Sequence, residues 1–333
     1  MTVDGILRRI KNLIFNHKKR RQIKNYFSLH GICDNSGGDF KEYFFNEDMP
    51  RVIAELKRGL DSKSCELVDL SIERLKNFPN QAAAKGFMVE EGLLMTQEER
   101  DEQAKWEKLI PEYQWDYPLE GGYLLPEAFM YHHGLRDMPE TVKDYIRGKD
   151  FIDAGAFIGD SALALHQYGP AKIFSFEISE VNADKYRRNM KGNNIPEKDF
   201  ELIMAGLSNQ CGKISFNDIK TSGSNLSAEG SDMVELTTID EFAKKRNLRV
   251  GFIKADIEGS ESLLVRGMQE TMAKDRPVLS IAIYHNPKDF FEIKPFLESL
   301  DMNYKFVIRK FNPRILVPLW ETYLVAYPAE IAE

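Results

Sequence analysis

The segment Phe151–Asp160, FIDAGAFIGD, constrains the fold most, together with Glu177 at the end of the next apolar run. A short apolar run stops at Asp153, two glycines follow, and SALALHQY then has the pattern of a helix. This order predicts a strand, a tight turn and a helix, with a second strand that ends 18 residues after Gly159. Small residues let a ligand approach the backbone where a strand becomes a helix, and an acid at the next strand end can accept from both hydroxyls of a ribose. The segment therefore predicts a site for a nucleoside-containing cofactor.

Length and composition are those of a globular protein. The 333 residues are 43% apolar and 29% charged, and no apolar run is long enough to span a bilayer. A net charge of −7 argues against general nucleic-acid binding, which needs a dominantly basic surface. Three widely spaced cysteines form neither a disulfide framework nor a metal knuckle, which favours a reducing compartment. We expect a cytoplasmic protein that binds no nucleic acid, and nothing in the sequence indicates its oligomeric state.

The N-terminal third differs from the rest of the chain. Residues 1–24 contain eight Lys and Arg but one acid, and their apolar positions fall on one helical face. Such a helix would either pack on its own domain or lie on an anionic membrane surface, and amphipathic helices usually pack internally. Residues 50–80 have a helical pattern, with Ile53, Leu56 and Leu60 spaced for one face. Thr96 and Glu99 fit a capping box. We predict a mostly helical N-terminal region over residues 1–115, with peripheral membrane contact through residues 1–24 as the less favoured alternative.

From about residue 140, apolar runs alternate with helical segments, which lie near 160–168, 180–192, 238–246, 260–274 and 288–300. This alternation predicts right-handed crossovers and a mainly parallel sheet. The chain closes differently, because residues 304–309 and 321–327 form two apolar runs with no helix between them. We predict an α/β, Rossmann-like fold over residues 116–333, with seven strands and an antiparallel last strand. The apolar runs before the closing pair end at Asp153, Glu177, Ala205, Asp256 and Ile283.

The carboxyl ends of the predicted parallel strands meet in one crevice. The glycine spacing there is G-x-x-x-G, without the middle glycine that a pyrophosphate needs. S-adenosylmethionine has no phosphate and tolerates a bulkier loop, and the closing strand pair is more typical of enzymes that use it. Asp160 would either contact the methionine amino group through water or cap the following helix. The predicted cofactor contacts are Asp153, Gly155, Ala156, Phe157, Gly159, Asp160, Ser161, Glu177, Ile178, Ala205 and Gly206.

Residues from about Tyr131 to Tyr327 resemble the FkbM-type methyltransferases. The resemblance rests on FIDAGAFIGDSALAL, KIFSFEIS, AGLSNQCGKISF, VELTTIDEF, IKADIEGSESLLVRGM, RPVLSIAIYH and WETYLVAYP. It implies a class I methyltransferase fold, S-adenosylmethionine as methyl donor and O-methylation of a sugar or glycan hydroxyl, with Asp256 nearest the methyl group. Ile178 stands where the family commonly has proline, although an aliphatic side chain can still pack on adenine. Residues 1–110 show no such resemblance.

The segment KADIEGSE supplies candidates for the transfer step, since a sugar hydroxyl is a poor nucleophile until a base or a metal takes its proton. Lys254, Asp256 and Glu258 alternate, so an extended strand would place them on one face. His285 ends the next predicted strand and would open into the same crevice, where histidine suits general-base work. Helix capping or pairing with the lysine is the alternative for the acids. The predicted catalytic residues are Lys254, Asp256, Glu258 and His285.

A divalent metal is a further candidate at this point of the sequence. Asp256, Glu258 and His285 carry the carboxylate and imidazole ligands that suit Mg²⁺ or Mn²⁺. Sequence spacing does not establish that the three side chains converge. Metal binding is therefore less favoured than a metal-free site.

Two other functions remain open from the sequence. A dinucleotide-dependent oxidoreductase would share the acid after the second strand, but the missing glycine and the closing strand pair argue against it. A non-catalytic scaffold would keep the fold, but the intact acids weigh against it. Loops build the pockets for sugars, so residues 209–235 and the N-terminal region are expected to build the acceptor pocket.

Overall fold

A computed structural model describes residues 40, 43–44, 46–85, 95–120, 124–217, 225–226, 232–312 and 319–331. The predicted basic helix over residues 1–24 lies outside these ranges and stays a prediction. In the described part of the chain, no helix is both long enough and apolar enough to cross a membrane.

Strands and helices alternate over the second half of the chain. The strands are β1 (Asp150–Ala154), β2 (Ile173–Glu177), β3 (Phe200–Met204), β4 (Gly206–Leu207), β5 (Gly212–Asn217), β6 (Asn225–Leu226), β7 (Asp232–Thr237), β8 (Val250–Ala255), β9 (Val278–Ala282), β10 (Tyr304–Lys310) and β11 (Thr322–Pro328). The helices are α1 (Met49–Lys57), α2 (Ser62–Lys85), α3 (Gln97–Asp116), α4 (Pro126–Phe129), α5 (Glu140–Ile146), α6 (Asp160–His166), α7 (Glu180–Gly192), α8 (Ile239–Arg246), α9 (Glu261–Arg266), α10 (Gln269–Asp275) and α11 (Pro287–Ser299). Short 3₁₀ helices cover His132–Asp137, Glu197–Asp199 and Ala329–Ile331.

The central sheet has seven strands in the order β10-β11-β9-β8-β1-β2-β3. β1 pairs in parallel with β2 and β8, and β2–β3 and β8–β9 are parallel too. β11 runs antiparallel to both β9 and β10. The predicted α/β, Rossmann-like sheet with an antiparallel last strand is confirmed. Strand order reverses between β1 and β8, and ligands of such sheets bind at this switch point.

Three segments differ in detail from the predictions. Residues 50–80 were expected as one helical stretch but form α1 and α2, which are separated around Gly59 at φ +71°. The predicted helix near 260–274 is two helices, and Gly267 caps the first of them. Gly267 packs closely on the chain, since a Cβ there would lie 2.1 Å from the Ser208 carbonyl oxygen. The segment 209–235 contains β5, β6 and β7, which form a second sheet with β4 in the order β4-β7-β5-β6.

The N-terminal helices pack directly on the sheet. The capping box of Thr96 and Glu99 is confirmed, and Glu99 also pairs with the buried Arg74 at 2.6 Å. The hydroxyl of Ser64 accepts from the backbone N–H of Ile308 in β10 at 2.9 Å. Buried side chains of α1, α2 and the sheet form one hydrophobic core. The predicted division at residues 115 and 116 stays a prediction.

Candidate active site

The glycine loop after β1 is in backbone contact with the chain that leaves β8. Gly155 has φ +80°, and a Cβ there would lie 1.8 Å from the Asp256 carbonyl oxygen. Gly159 has φ +88°, and a Cβ there would lie 2.6 Å from Met190 Cε. Both positions therefore require glycine, for conformation and for space. The loop predicted for the cofactor lies beside the acid predicted for methyl transfer.

A buried ion pair between Lys254 and Asp153 lies next to the glycine loop and stabilises it. Lys254 Nζ lies 3.3 Å from Asp153 Oδ1 and donates to the carbonyl oxygens of Ala154 and Gly155 at 3.2 and 2.7 Å. Burial raises the pKa of Asp153, and the neighbouring ammonium only partly offsets this effect. Burial disfavours the charge of Lys254, but Asp153 and Asp256 outweigh it and raise its pKa. The structure thus commits Lys254, one of the predicted catalytic residues, to hydrogen bonds that hold the glycine loop.

Glu177 closes β2 at the same edge of the sheet. Its Oε1 accepts from the backbone N–H groups of Ile178 and Ser179, each at 2.8 Å. Burial raises the pKa of Glu177 to about 7. Ala205 and Gly206 follow β3, the strand that pairs with β2, so the predicted ribose and adenine contacts lie on neighbouring strand ends.

The first turn of α6 holds two more predicted cofactor contacts. Gly159 occupies the N-cap position, so Asp160 lies in the first turn instead of capping the helix. Burial raises the pKa of Asp160 to about 6. Ser161 Oγ lies 2.9 Å from Nε2 of the buried His133. Nδ1 of the adjacent His132 lies 2.7 Å from the Tyr168 hydroxyl oxygen. Both histidines therefore have partners within the protein.

The prediction that residues 254–258 continue as one strand is wrong. β8 ends at Ala255, and Glu258 has φ +56° in a turn. The buried carboxylate of Glu261 bends the chain there, because it accepts from the N–H groups of Ile257 and Gly259 at 2.7 and 2.9 Å. Glu258 therefore reaches the crevice from a turn and not by strand alternation.

The structure brings His285 together with the acids of this turn. Nε2 lies 3.4 Å from both Asp256 Oδ1 and Glu258 Oε2, and Nδ1 lies 3.1 Å from Glu261 Oε1. Burial disfavours the imidazolium, but Glu261, Glu258 and Asp256 outweigh it and raise the pKa of His285 well above its ordinary value. Burial raises the pKa of Glu258 to about 8. The cluster can thus exchange protons near neutral pH.

Sequence reasoning missed the two tyrosines that hold Asp256. Tyr323 donates to Asp256 Oδ2 at 2.6 Å. The Tyr284 hydroxyl lies 3.3 Å from both oxygens of Asp256 and 3.2 Å from Glu321 Oε1. The position of Tyr284 directly before His285, at a strand end, could have indicated that it belongs to the site. No local sequence pattern indicates Tyr323 or Glu321.

Backbone strain gathers around this crevice. Several non-glycine residues here have the left-handed conformation, which costs roughly 1–3 kcal/mol each and is often kept at functional sites. They are His132, His133, Phe157, Glu258 and Glu321, with φ between +46° and +56°.

A doubly wound sheet with a glycine loop at its switch point, an acid at the end of β2 and an antiparallel closing strand has the arrangement of the class I methyltransferase fold. Residues 153–306 match the methyltransferase FkbM domain, and this part of the chain belongs to that family. A comparison with curated proteins gives no match.

A solved structure shares this fold. A crystal structure of methyltransferase FkbM from Methylobacillus flagellatus KT is 16% identical with a TM-score of 0.56, and the match covers 84% of this chain and 59% of that one. The chain thus spans about three fifths of that protein's length. An rRNA methylase from Streptococcus thermophilus is 11% identical with a TM-score of 0.38, over 60% and 93% of the two chains. A Streptococcus mutans protein in complex with SAH is 14% identical with a TM-score of 0.36, and the match covers 56% of this chain and 92% of that one.

Proposed function

We propose that this protein transfers a methyl group from S-adenosylmethionine to a hydroxyl of a sugar or glycan. The contact between Gly155 and the Asp256 carbonyl carries the proposal. A cofactor that lies along the glycine loop with its ribose at Glu177 has its reactive end next to Asp256. The FkbM family membership of residues 153–306 supports the same chemistry.

The charge of the crevice suits a sulfonium cofactor. Buried acids surround the loop, whereas Lys254 and His285 supply its positive charge among the described residues. Acids that ionise beside the sulfonium favour the cationic donor over its thioether product, which helps product leave after transfer. The acids at the glycine loop and at the turn after β8 are Asp153, Asp160, Glu177, Asp256, Glu258 and Glu261.

The transfer itself is an in-line displacement. The acceptor oxygen forms a bond to the methyl carbon, the carbon–sulfur bond breaks, and its electron pair stays on sulfur. Alignment of oxygen, carbon and sulfur supplies much of the acceleration. The hydroxyl proton passes to a carboxylate of the cluster that Asp256 and Glu258 form beside His285, and the raised pKa of Glu258 makes its ionised carboxylate a stronger base.

A divalent metal is the second proposal for this cluster. Asp256, Glu261 and His285 each offer one ligand atom, and these atoms lie within 4.8 Å of one another. Mg²⁺ or Mn²⁺ held there would lower the pKa of the acceptor hydroxyl. Transfer that is lost after dialysis against EDTA and restored by Mn²⁺ would support the metal. Undiminished transfer would assign the chemistry to the side chains alone.

Isothermal titration and a transfer assay test the main proposal. We expect the protein to bind S-adenosylmethionine and S-adenosylhomocysteine and to label an extracted surface-glycan fraction from an isotopically labelled donor, read by mass spectrometry. The absence of both a heat of binding and a shift in melting temperature with either ligand would contradict the proposal. Cofactor binding without transfer to any glycan would favour a scaffold, and enhanced NADH fluorescence would favour an oxidoreductase.

A cytoplasmic location and membrane contact through residues 1–24 also remain proposals. A basic amphipathic helix would suit a membrane-borne glycan acceptor. Co-sedimentation with anionic liposomes, with and without residues 1–24, is the test. Equal pelleting of the two proteins would end the membrane proposal.

A further inference from the structure

Two buried carboxyl groups in the crevice have no part in holding the glycine loop or closing the turn. Glu127 lies on α4 and is 6% exposed, and Glu321 lies just before β11 and is 5% exposed. One oxygen of each, Oε2, has no hydrogen-bond donor in the described part of the chain. Burying a carboxyl oxygen without a hydrogen-bond donor costs folding free energy. The two oxygens therefore indicate a site for a ligand that supplies the missing donors.

The basic groups of the crevice are engaged elsewhere. Lys254 pairs with Asp153, and His285 lies against Asp256 and Glu258. Over the residues that the structure describes, neither Glu127 nor Glu321 forms an ion pair. The two carboxyls also repel each other, since burial first and then Glu321 raise the pKa of Glu127 well above its ordinary value. Asp160 and Asp256 add to this repulsion.

Glu321 lies beside the proposed methyl-transfer point, and Glu127 lies on α4, which packs against α6. Because β11 runs antiparallel to β9, its first residues lie at the edge where the parallel strands end, with Tyr323 opposite Ala282. Glu321 is joined there to Asp256 through the Tyr284 hydroxyl. Glu177, the predicted ribose contact, lies on β2, on the other side of the switch point.

We propose that Glu127 and Glu321 form a subsite for a protonated amine of the acceptor, so that the preferred acceptor is an amino sugar or a related amino alcohol. The inference rests on the proposed methyl transfer to a sugar hydroxyl. A neutral polyol would give the two oxygens donors but would not offset the charges that the two carboxyls take on when they ionise, with Asp160 and Asp256 nearby. An ammonium group supplies several donors and a positive charge at once.

Saturation-transfer NMR on the full chain loaded with S-adenosylhomocysteine tests the subsite. The probes are glucosamine, galactosamine and mannosamine, each against its N-acetyl counterpart. We expect an amine to bind at least about tenfold more tightly than its N-acetyl form, as the loss of a charge-assisted hydrogen bond implies. Glu127→Gln and Glu321→Gln should each lose this preference, whereas Glu66→Gln, at an exposed acid, should keep it.

The outcomes separate this inference from the proposed function. Failure of the wild type to bind S-adenosylhomocysteine would count against methyl transfer itself. Normal cofactor binding with no amine bound, or with N-acetyl forms bound equally, would overturn the amine subsite alone. A loss of S-adenosylhomocysteine affinity in Glu127→Gln and Glu321→Gln would also overturn it, because the carboxyls would then hold the cofactor's own ammonium group.

Discussion

The Tyr323 hydroxyl donates a 2.6 Å hydrogen bond to Oδ2 of Asp256, across 67 residues of sequence. This bond joins the antiparallel closing strand to the acid beside the glycine loop. The closing strand thus does more than complete the sheet, because it orients the carboxylate at the proposed methyl-transfer point.

Tyr323→Phe should lower kcat/KM for methyl transfer by roughly 10- to 150-fold, since a hydrogen bond to a charged group contributes about 1.5–3 kcal/mol. Cofactor affinity, measured by isothermal titration, should stay unchanged. Tyr304→Phe is the matched control, because that hydroxyl donates to the Pro277 carbonyl far from the crevice. Equal losses in both variants would contradict a specific role for Tyr323.

Glu177→Ala should raise the Kd for S-adenosylhomocysteine by roughly 10- to 150-fold. The reason is that the variant loses a charge-assisted hydrogen bond to the ribose, which contributes about 1.5–3 kcal/mol of binding free energy. Isothermal titration measures this change. Glu180→Ala removes an exposed acid three residues further on and should bind as the wild type does. An unchanged Kd in Glu177→Ala would remove Glu177 from the cofactor site.

Lys254→Met should destabilise the fold by about 3–5 kcal/mol, because it leaves the buried Asp153 carboxylate without its cation. Urea unfolding measures the free energy. The double variant Asp153→Asn with Lys254→Met should recover part of this loss, since neither charge then remains buried. A double variant that is less stable than Lys254→Met would argue that the lysine acts mainly through its bonds to the loop carbonyls.

Gly155→Ala tests the contact between the glycine loop and Asp256. Its Cβ would meet the Asp256 carbonyl oxygen at 1.8 Å, whereas a Cβ at Gly148, with φ +69°, would meet nothing within 4 Å. Gly148→Ala should therefore cost about 1–2 kcal/mol from conformation alone. Gly155→Ala should add about 1–3 kcal/mol for overpacking and should abolish cofactor binding. Similar unfolding midpoints and intact cofactor binding in both variants would refute the close contact.

The stability of the ligand-free protein should fall as the pH rises from about 5 to about 8. Burial raises the pKa of Glu177 to about 7 and those of Glu258 and Glu321 to about 8, from an ordinary value of 4.5. Between these values the folded state holds protons that the unfolded state has lost, so each rise in pH removes stability.

Urea unfolding at pH 6, 7 and 8 checks this trend, and Glu321→Gln should flatten it because one titrating group is gone. Stability that increases over this range would contradict the raised pKa values.

The sequence alone determined the order of strands and helices and the chemistry at the strand ends. Apolar runs of strand length, glycines at positive φ and acids that end strands are local properties of the backbone, so they can be predicted without a fold. The glycine loop, Glu177 and Asp256 were found in this way. The strand predicted through residue 258 failed because the carboxylate of Glu261, a few residues further along the chain, accepts from the backbone N–H groups of Ile257 and Gly259 and draws the chain into a turn. Alternation along a strand does not take such a local side-chain acceptor into account.

Only the tertiary structure decided which of these groups meet. The antiparallel direction of β11 places Glu321 and Tyr323 at the edge where β8 and β9 end, and the packing of α4 brings Glu127 to the same crevice. Such contacts depend on strand order and direction across long stretches of chain, and no local periodicity records them. Burial then raises the pKa values of these acids, which gives the crevice its proton-binding capacity.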